Sequence, residues 1–311
     1  MNELDLIALL TRSLPANPSV VAGAGDDCAV LDCGAPGRFL LFKTDAVVSG
    51  IHFTAQEAAP EQIGHKALGR CLSDIAAMAG TPLAALVTLA LPRKFQPRFI
   101  ERVYAGINRL AQRCGVAIVG GETTTNPGRL LISIALLGEV DQDKCIRRGG
   151  AMDGDALWVT GELGGSLAGK HLDFEPRLAE ARWLAANFPI HAMIDLSDGL
   201  AGDLRHILRQ SGVGAELLAR SIPVSRAARL LARTQPSTKP PLLAALSDGE
   251  DFELLFALPA SHAVPLLDAW KRQFPHLRLT CIGRITAEPG LNLRDKYGLR
   301  PLDTHGYVHF A

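Results

Sequence analysis

The chain reads as a two-part protein of α+β and α/β character, with halves near residues 1–140 and 150–311. Three observations predict it. Short apolar runs alternate with longer amphipathic segments along the whole length, the pattern of sheets covered by helices. A polar stretch from Asp141 to Asp155, carrying Arg147, Arg148, Gly149, Gly150 and Gly154, interrupts that alternation near the middle and marks the boundary. No short-period repeat or low-complexity tract occurs, which excludes a solenoid.

Leu4 to Ser13 is amphipathic and helical. Arg38 to Val48 predicts a strand, and Pro60 to Ala79 a helix with proline in its first turn. Leu83 to Leu91 follows as a strand, then a helix from Pro97 to Cys114 closed by Gly115. Val116–Val119 and Leu130–Val140 are strands. Beyond the boundary come a strand over 156–160, helices over 164–171 and 176–187, a strand over 192–196 and a helix over 200–210. Strands over 252–258 and 278–285 flank a helix over 260–274. Ile75 to Pro92 carries no charge and is long enough to suggest a membrane span. Gly80-Thr81-Pro82 divides it into a helix end and a strand, so no membrane association is expected.

Net charge is +0 at pH 7, which gives no case for nucleic acid or another polyanion. The first ten residues, MNELDLIALL, have acids and no basic cluster, so no secretory signal is expected. The six cysteines (Cys28, Cys33, Cys71, Cys114, Cys145 and Cys281) form no C-x-x-C pair and read as reduced thiols of a cytoplasmic protein.

The stretch VTGELGGSLAGKHL, residues 159–172, spells G-x-x-x-x-G-K from Gly164 to Lys170. A triphosphate loop of that kind needs Ser or Thr after the lysine to ligate magnesium. His171 stands there instead, and imidazole is a poor partner for a hard cation. A turn whose glycines admit a closely packed helix is the reading preferred, and Lys170 is not expected to touch phosphate.

Acids at turns and strand ends are more informative: Gly25-Asp26-Asp27, Thr44-Asp45, Ser73-Asp74, Gly120-Gly121-Glu122-Thr123, Asp195-Leu196-Ser197-Asp198-Gly199 and Gly249-Glu250-Asp251. Singly, each is an ordinary turn or cap. Together they place carboxylates next to apolar runs: Asp45 after FLLF, Asp74 within an apolar helix, Asp195 after HAMI. Buried carboxylates are costly unless paired or metal-bound. Magnesium ions holding a triphosphate would resolve the repulsion and support phosphoryl transfer without a P-loop. Arg148 is the candidate guanidinium for the phosphates, with Lys43 and Lys66 as weaker ones.

The motifs GAGDDCAVLD, FKTDAVVSGIHF, HKALGRCLSDIAAMAGTP, GGETTT, MIDLSDGLAGDL, SDGEDFELLF and the closing GYVHF occur in the order and spacing of thiamine-monophosphate kinases, and the chain resembles that family from about residue 5 to 310. The resemblance implies the two-domain aminoimidazole-ribonucleotide-synthetase-like fold, an N-terminal mixed sheet with helices followed by a C-terminal α/β domain. It implies a cytoplasmic homodimer formed through the N-terminal domain, which would also hold metal and the ATP phosphates. The implied reaction is phosphorylation of thiamine monophosphate by ATP with Mg²⁺.

Carried over by position, Asp27, Lys43, Thr44, Asp45, Asp74, Glu122, Asp195 and Asp198 form the implied metal set, with Asp45, Asp74, Asp198 and Arg148 central to catalysis. Gly121, Glu122, Arg148 and Ser197 are implied ATP contacts. His52, Glu250 and Tyr307 are implied contacts to the thiamine moiety. Three positions depart from the family pattern: Glu122 for Asp, Lys43 for a small hydroxyl residue, and Asp248 for glycine. Rival readings are another superfamily member, a non-catalytic nucleotide or thiamine-phosphate sensor, and a phosphohydrolase. The first cysteine, Cys28, follows Asp27 rather than preceding the acids, and the chain ends Phe310-Ala311 rather than in cysteine. Both features speak against the selenophosphate and hydrogenase-maturation relatives.

Overall fold

The structure, a computed structural model, describes residues 3–54, 58–235, 239–304, 306 and 307. It divides into two compact units, one of residues 18–145 with 169–178, the other of residues 1–17, 146–168 and 179–311. Helix α1 (Glu3–Thr11) belongs to the second.

The first unit is a six-stranded sheet with helices on one face. Its elements are β1 (Val20–Ala22), β2 (Ala29–Leu31), β3 (Arg38–Val48), α2 (Pro60–Ala77), β4 (Thr81–Leu91), α3 (Pro97–Cys114), β5 (Ala117–Thr125) and β6 (Leu131–Asp141). The strand order is β1-β2-β3-β6-β4-β5, and every pairing is antiparallel except β4 with β5. Strand β6 alternates strictly, with Ile132, Ile134 and Leu136 buried. Period-two alternation of this kind presents one apolar face. Helix α2 covers that face with Ile63, Leu68, Leu72 and Ile75, all fully buried.

The expected segments here hold with small shifts, and one differs in kind. GGETTT lies in strand β5 rather than in a turn. Hydrogen bonding to β4 across Gly121↔Val87 and Glu122↔Thr88 extends the strand through Thr125.

Short helix α4 (Lys170–Asp173) still belongs to the first unit, and the second carries β7 (Asp155–Thr160), α5 (Leu178–Asn187), β8 (Ala192–Asp195), α6 (Leu200–Ser211), β9 (Gly214–Leu218), α7 (Arg226–Thr234), α8 (Pro241–Ser247), β10 (Leu254–Pro259), α9 (Ala263–Gln273), β11 (Leu279–Thr286), β12 (Gly290–Asp295) and β13 (Gly298–Pro301). The seven-stranded order is β13-β12-β9-β11-β7-β10-β8, with only β9 and β12 parallel. Strands β7, β8 and β10 are buried nearly throughout, which explains their unbroken apolar runs.

The helix expected over 164–171 is not one element. Gly164 and Gly165 are left-handed (φ +81° and +71°), a single 3₁₀ turn spans Ser166–Ala168, and α4 begins only after Gly169 at φ +140°. Among the described residues no helix is long and apolar enough to cross a membrane. Ile75–Pro92 is divided between the end of α2 and β4.

Candidate active site

In the first unit the site is built by two periodicities. Residues 43 and 45 lie on the same face of β3, and residues 66, 70 and 74 form one i, i+4, i+8 stripe on α2. The stripe and the strand meet in register. Lys43 Nζ lies 2.8 Å from Asp74 Oδ1. Arg70 grips Asp45 with Nε at 2.9 Å and the second nitrogen at 3.2 Å, and Asp45 also accepts the Ala46 N–H at 2.7 Å. Lys66, fully buried, donates to the His52 carbonyl and lies 2.7 Å from His171 Nδ1. Lys66 is therefore an internal tie, not the phosphate ligand considered from sequence.

Asp27 and Asp74 are both buried. Around them sits Cys28, whose N–H donates to Met78 Sδ at 3.2 Å. Burial first, then the charges of Asp74 and Asp27, push the Cys28 thiol well above its ordinary pKa, against the opposing pull of Lys43. It is thus a neutral thiol and no nucleophile. Burial disfavours the Lys43 ammonium, but the adjacent Asp74 and Asp45 outweigh it and hold the lysine above its usual range.

Three predicted ligands stand apart from this cluster of buried carboxylates. An ammonium has no lone pair, so the Lys43 side chain cannot ligate metal; it neutralises Asp74 instead. Thr44 is exposed and lies on the opposite face of β3, its hydroxyl 3.4 Å from Ser133 Oγ, because successive strand residues alternate. Glu122, also exposed, stands on the edge strand β5, three strand spacings from β3, and accepts its neighbour Thr123 N–H at 3.0 Å. The structure does not bring it to Asp45 and Asp74. Gly121 is conformationally demanding: at φ +156° a Cβ there would lie 1.8 Å from the Val87 carbonyl.

His52 occupies the turn after β3. Its Nδ1 accepts the Val48 N–H at 3.1 Å, which places the neutral ring's proton on Nε2 and leaves that nitrogen the donor.

In the second unit three of the predicted loops converge. The Ser197 carbonyl accepts the Glu250 N–H at 2.7 Å, and the Asp198 carbonyl accepts the Tyr307 N–H at 2.8 Å. Leu196 exchanges backbone bonds with the 252–253 segment on the same path. Glu250 is held at φ +54° and Phe252 at +49°, rare for side chains with a Cβ and typical of residues constrained by a site. Tyr307 is 53% exposed. Val308, His309 and Phe310 of GYVHF lie outside the described residues.

Asp203, missed from sequence, anchors this assembly. Its Oδ2 accepts the N–H groups of Asp198 (3.1 Å) and Gly199 (3.0 Å). Burial, then the charges of Asp198 and Asp195, push its carboxyl well above the usual range, opposed by those N–H donors and Arg148. The signal was an acid in the first turn of α6, where such residues satisfy free amide groups. Arg148 lies inside this unit rather than on a free hinge. With burial as the larger cause, it holds His206 near pKa 4 together with Arg209.

Asp248 needs no glycine: it closes α8 in right-handed conformation (φ −75°) and accepts the Gly165 N–H at 3.1 Å. Both Asp251 oxygens accept the Gly164 N–H, at 2.9 and 3.1 Å. Those amides are spent on the protein's own carboxylates, so this loop cannot cradle phosphate. A Cβ at Gly164 would come within 2.5 Å of the Ala245 nitrogen, and at Gly165 within 2.6 Å of the Ala228 nitrogen. The glycines admit α8 and α7, as the packing reading holds.

Each unit thus carries buried carboxylates, Asp27 and Asp74 in one and Asp195 and Asp203, with the half-buried Asp198 beside them, in the other. Hard oxygen donors with an excess of negative charge fit Mg²⁺, which takes one or two carboxylates and fills its octahedron with water and phosphate oxygens.

Known proteins share this arrangement of sequence and fold. The AIR synthase related protein N-terminal domain family matches residues 25–140, and the corresponding C-terminal domain family residues 152–296. Over 295 residues the chain is 41% identical to the thiamine-monophosphate kinase of Rhodopirellula baltica, covering 93% of this chain and 91% of that protein. It is 34% identical to the Bacillus subtilis thiamine-monophosphate kinase over 334 residues, with both chains fully covered. A solved structure, AaThiL complexed with AMPPCP and TMP, superposes with a TM-score of 0.84 at 29% identity, covering 99% of this chain and 97% of that one. The chain belongs to the thiamine-monophosphate kinase family of AIR synthase related proteins.

Proposed function

We propose that the protein transfers the γ-phosphoryl group of ATP to the phosphate of thiamine monophosphate, releasing ADP and thiamine diphosphate. A phosphate oxygen of the acceptor forms the new P–O bond as the bond from the γ-phosphorus to the β,γ-bridging oxygen breaks. The acceptor oxygen is already anionic at neutral pH, so the chain needs no strong general base. Its task is positioning and charge compensation.

The observation that carries this reading is the convergence of Ser197, Asp198, Glu250 and Tyr307 through backbone hydrogen bonds in a member of the family. Magnesium bound by Asp27, Asp45 and Asp74 and by Asp195 and Asp198 would neutralise the phosphates. Arg148 offers a planar guanidinium to phosphate oxygens, and Ser197 and Gly121 approach the nucleotide. The Tyr307 ring offers its face to the fixed thiazolium cation. Glu250 accepts from the aminopyrimidine, and His52 presents its Nε2–H to the same substrate. The exposed nine-residue edge strand β5 suits pairing with a second copy, in keeping with a homodimer, and a sequence without C-x-x-C pairs suits the cytoplasm.

Purified protein incubated with ATP, Mg²⁺ and thiamine monophosphate is expected to yield ADP and thiamine diphosphate in equal amounts. Free thiamine should not replace the monophosphate, and Asp45→Ala should abolish both products. ADP without thiamine diphosphate would replace this reading with a hydrolase or another superfamily activity. Ligand binding without any turnover would favour a sensor.

A further inference from the structure

Two carboxylates of the first unit already meet cations of the protein itself. Asp45 has a two-point guanidinium from Arg70 and the Ala46 N–H. Asp74, only 6% exposed, has the Lys43 ammonium 2.8 Å from one oxygen. Lys43 springs from β3, two residues before Asp45, and α2 lies over that face of the strand. The side chain is thus tethered at one end by the sheet and held at the other by the carboxylate. An ammonium carries a full positive charge on one atom with three donors, and no vacant coordination position for a phosphate oxygen.

From this geometry we infer that Lys43 is an internal cation that holds one oxygen of Asp74 against a divalent ion, and so weakens divalent-ion binding at that carboxylate without abolishing it. The inference rests on the kinase reading only for the identity of the phosphates nearby. Lys43 supplies Asp74 with one charge that does not dissociate, where a metal would supply two and exchange. Lys43 is accordingly a positioning residue. It keeps Asp74 compensated before nucleotide arrives, and any ion that binds there must share the carboxylate through its other oxygen or displace the ammonium.

The test is a Mn²⁺ titration of the full chain without nucleotide, with free Mn²⁺ followed by electron paramagnetic resonance. Lys43→Ser is expected to bind at least one ion tenfold or more tighter than the unsubstituted chain. Lys43→Arg should retain the original isotherm, and adding Asp74→Asn to Lys43→Ser should remove the gain. Isotherms of Lys43→Ser and the original chain that superpose, or a gain that survives Asp74→Asn, would overturn the inference. Lys43→Gln, which keeps most of the stem without the charge, provides the same comparison if Lys43→Ser does not fold. Shifted isotherms in a protein that makes no thiamine diphosphate would retain this role for Lys43 while removing the substrate assignment.

Discussion

The carboxylate of Asp203 accepts the backbone N–H of Asp198 at 3.1 Å, and the same oxygen takes the Gly199 N–H at 3.0 Å. One buried side chain thereby sets the shape of the loop that carries Ser197 and Asp198 and that receives Glu250 and Tyr307. Removing the acceptor leaves one buried and one half-buried donor unmet, at about 1–3 kcal/mol for the buried one. Asp203→Ala is expected to lower thermal stability and reduce kcat/KM more than tenfold. Asp203→Asn keeps an oxygen in place and should lose far less of both. Equal losses in the two variants would mean that the charge matters, not the acceptor.

The glycine loop yields a contrast. Lys170→Ala should leave KM for ATP within about twofold, since the loop amides serve Asp248 and Asp251. Gly164→Ala should destabilise the fold by about 2 kcal/mol or more, because a Cβ meets backbone at 2.5 Å in a left-handed conformation. Steady-state kinetics and urea unfolding measure the two. A large KM effect in Lys170→Ala would reinstate the phosphate loop.

Glu250 at φ +54° stores backbone strain. Glu250→Gly relieves it and is expected to change stability by less than about 1 kcal/mol, in either direction. The same variant should raise KM for thiamine monophosphate at least tenfold while leaving KM for ATP nearly unchanged. Parallel increases in both constants would assign Glu250 to loop shape instead of substrate contact.

His206 supplies a pH dependence. Burial first, then Arg148 and Arg209, lower its pKa from 6.5 to about 4. Arg209 lies 2.8 Å from Nδ1, an arrangement that suits the neutral ring. The unfolded chain binds a proton below pH 6.5 where the folded one does not. Stability is therefore full above pH 6.5 and falls as pH drops toward 4, by on the order of 2 kcal/mol after allowance for partial exposure. Urea midpoints of His206→Gln should decline less steeply over that window than those of the original chain. Parallel slopes would show that other groups dominate.

Arg70 and Asp45 form a two-point pair that was not anticipated. Arg70→Lys keeps the charge and loses the fork, so activity should drop about tenfold or more with thermal stability reduced only modestly. Full activity in this variant would exclude orientation of Asp45 as the role of Arg70.

Local signals made much of this legible in the sequence. The helix ending at Gly115 and the strand from Arg38 to Val48 were evident because proline, glycine and apolar period act within a few residues. The motifs around Asp27, Asp74 and Asp195 were evident because a carboxylate beside an apolar run is costly wherever it lies.

Other features had no local signature. Residues 164–171 looked helical by composition, yet α7 and α8 press on Gly164 and Gly165 and break the helix. Whether Thr44 shares the face of Asp45 depends on which side of β3 the helix α2 covers, and whether Glu122 joins the acids depends on strand order. Lys43 could be read as a metal ligand or a departure until Asp74 was found opposite it, 31 positions further along the chain and 2.8 Å away in space. Residue chemistry and short-range period determined which groups were available for charge work. Only the packing of helix on strand, which pairs residues distant in sequence, decided which of them face one another and which are already compensated.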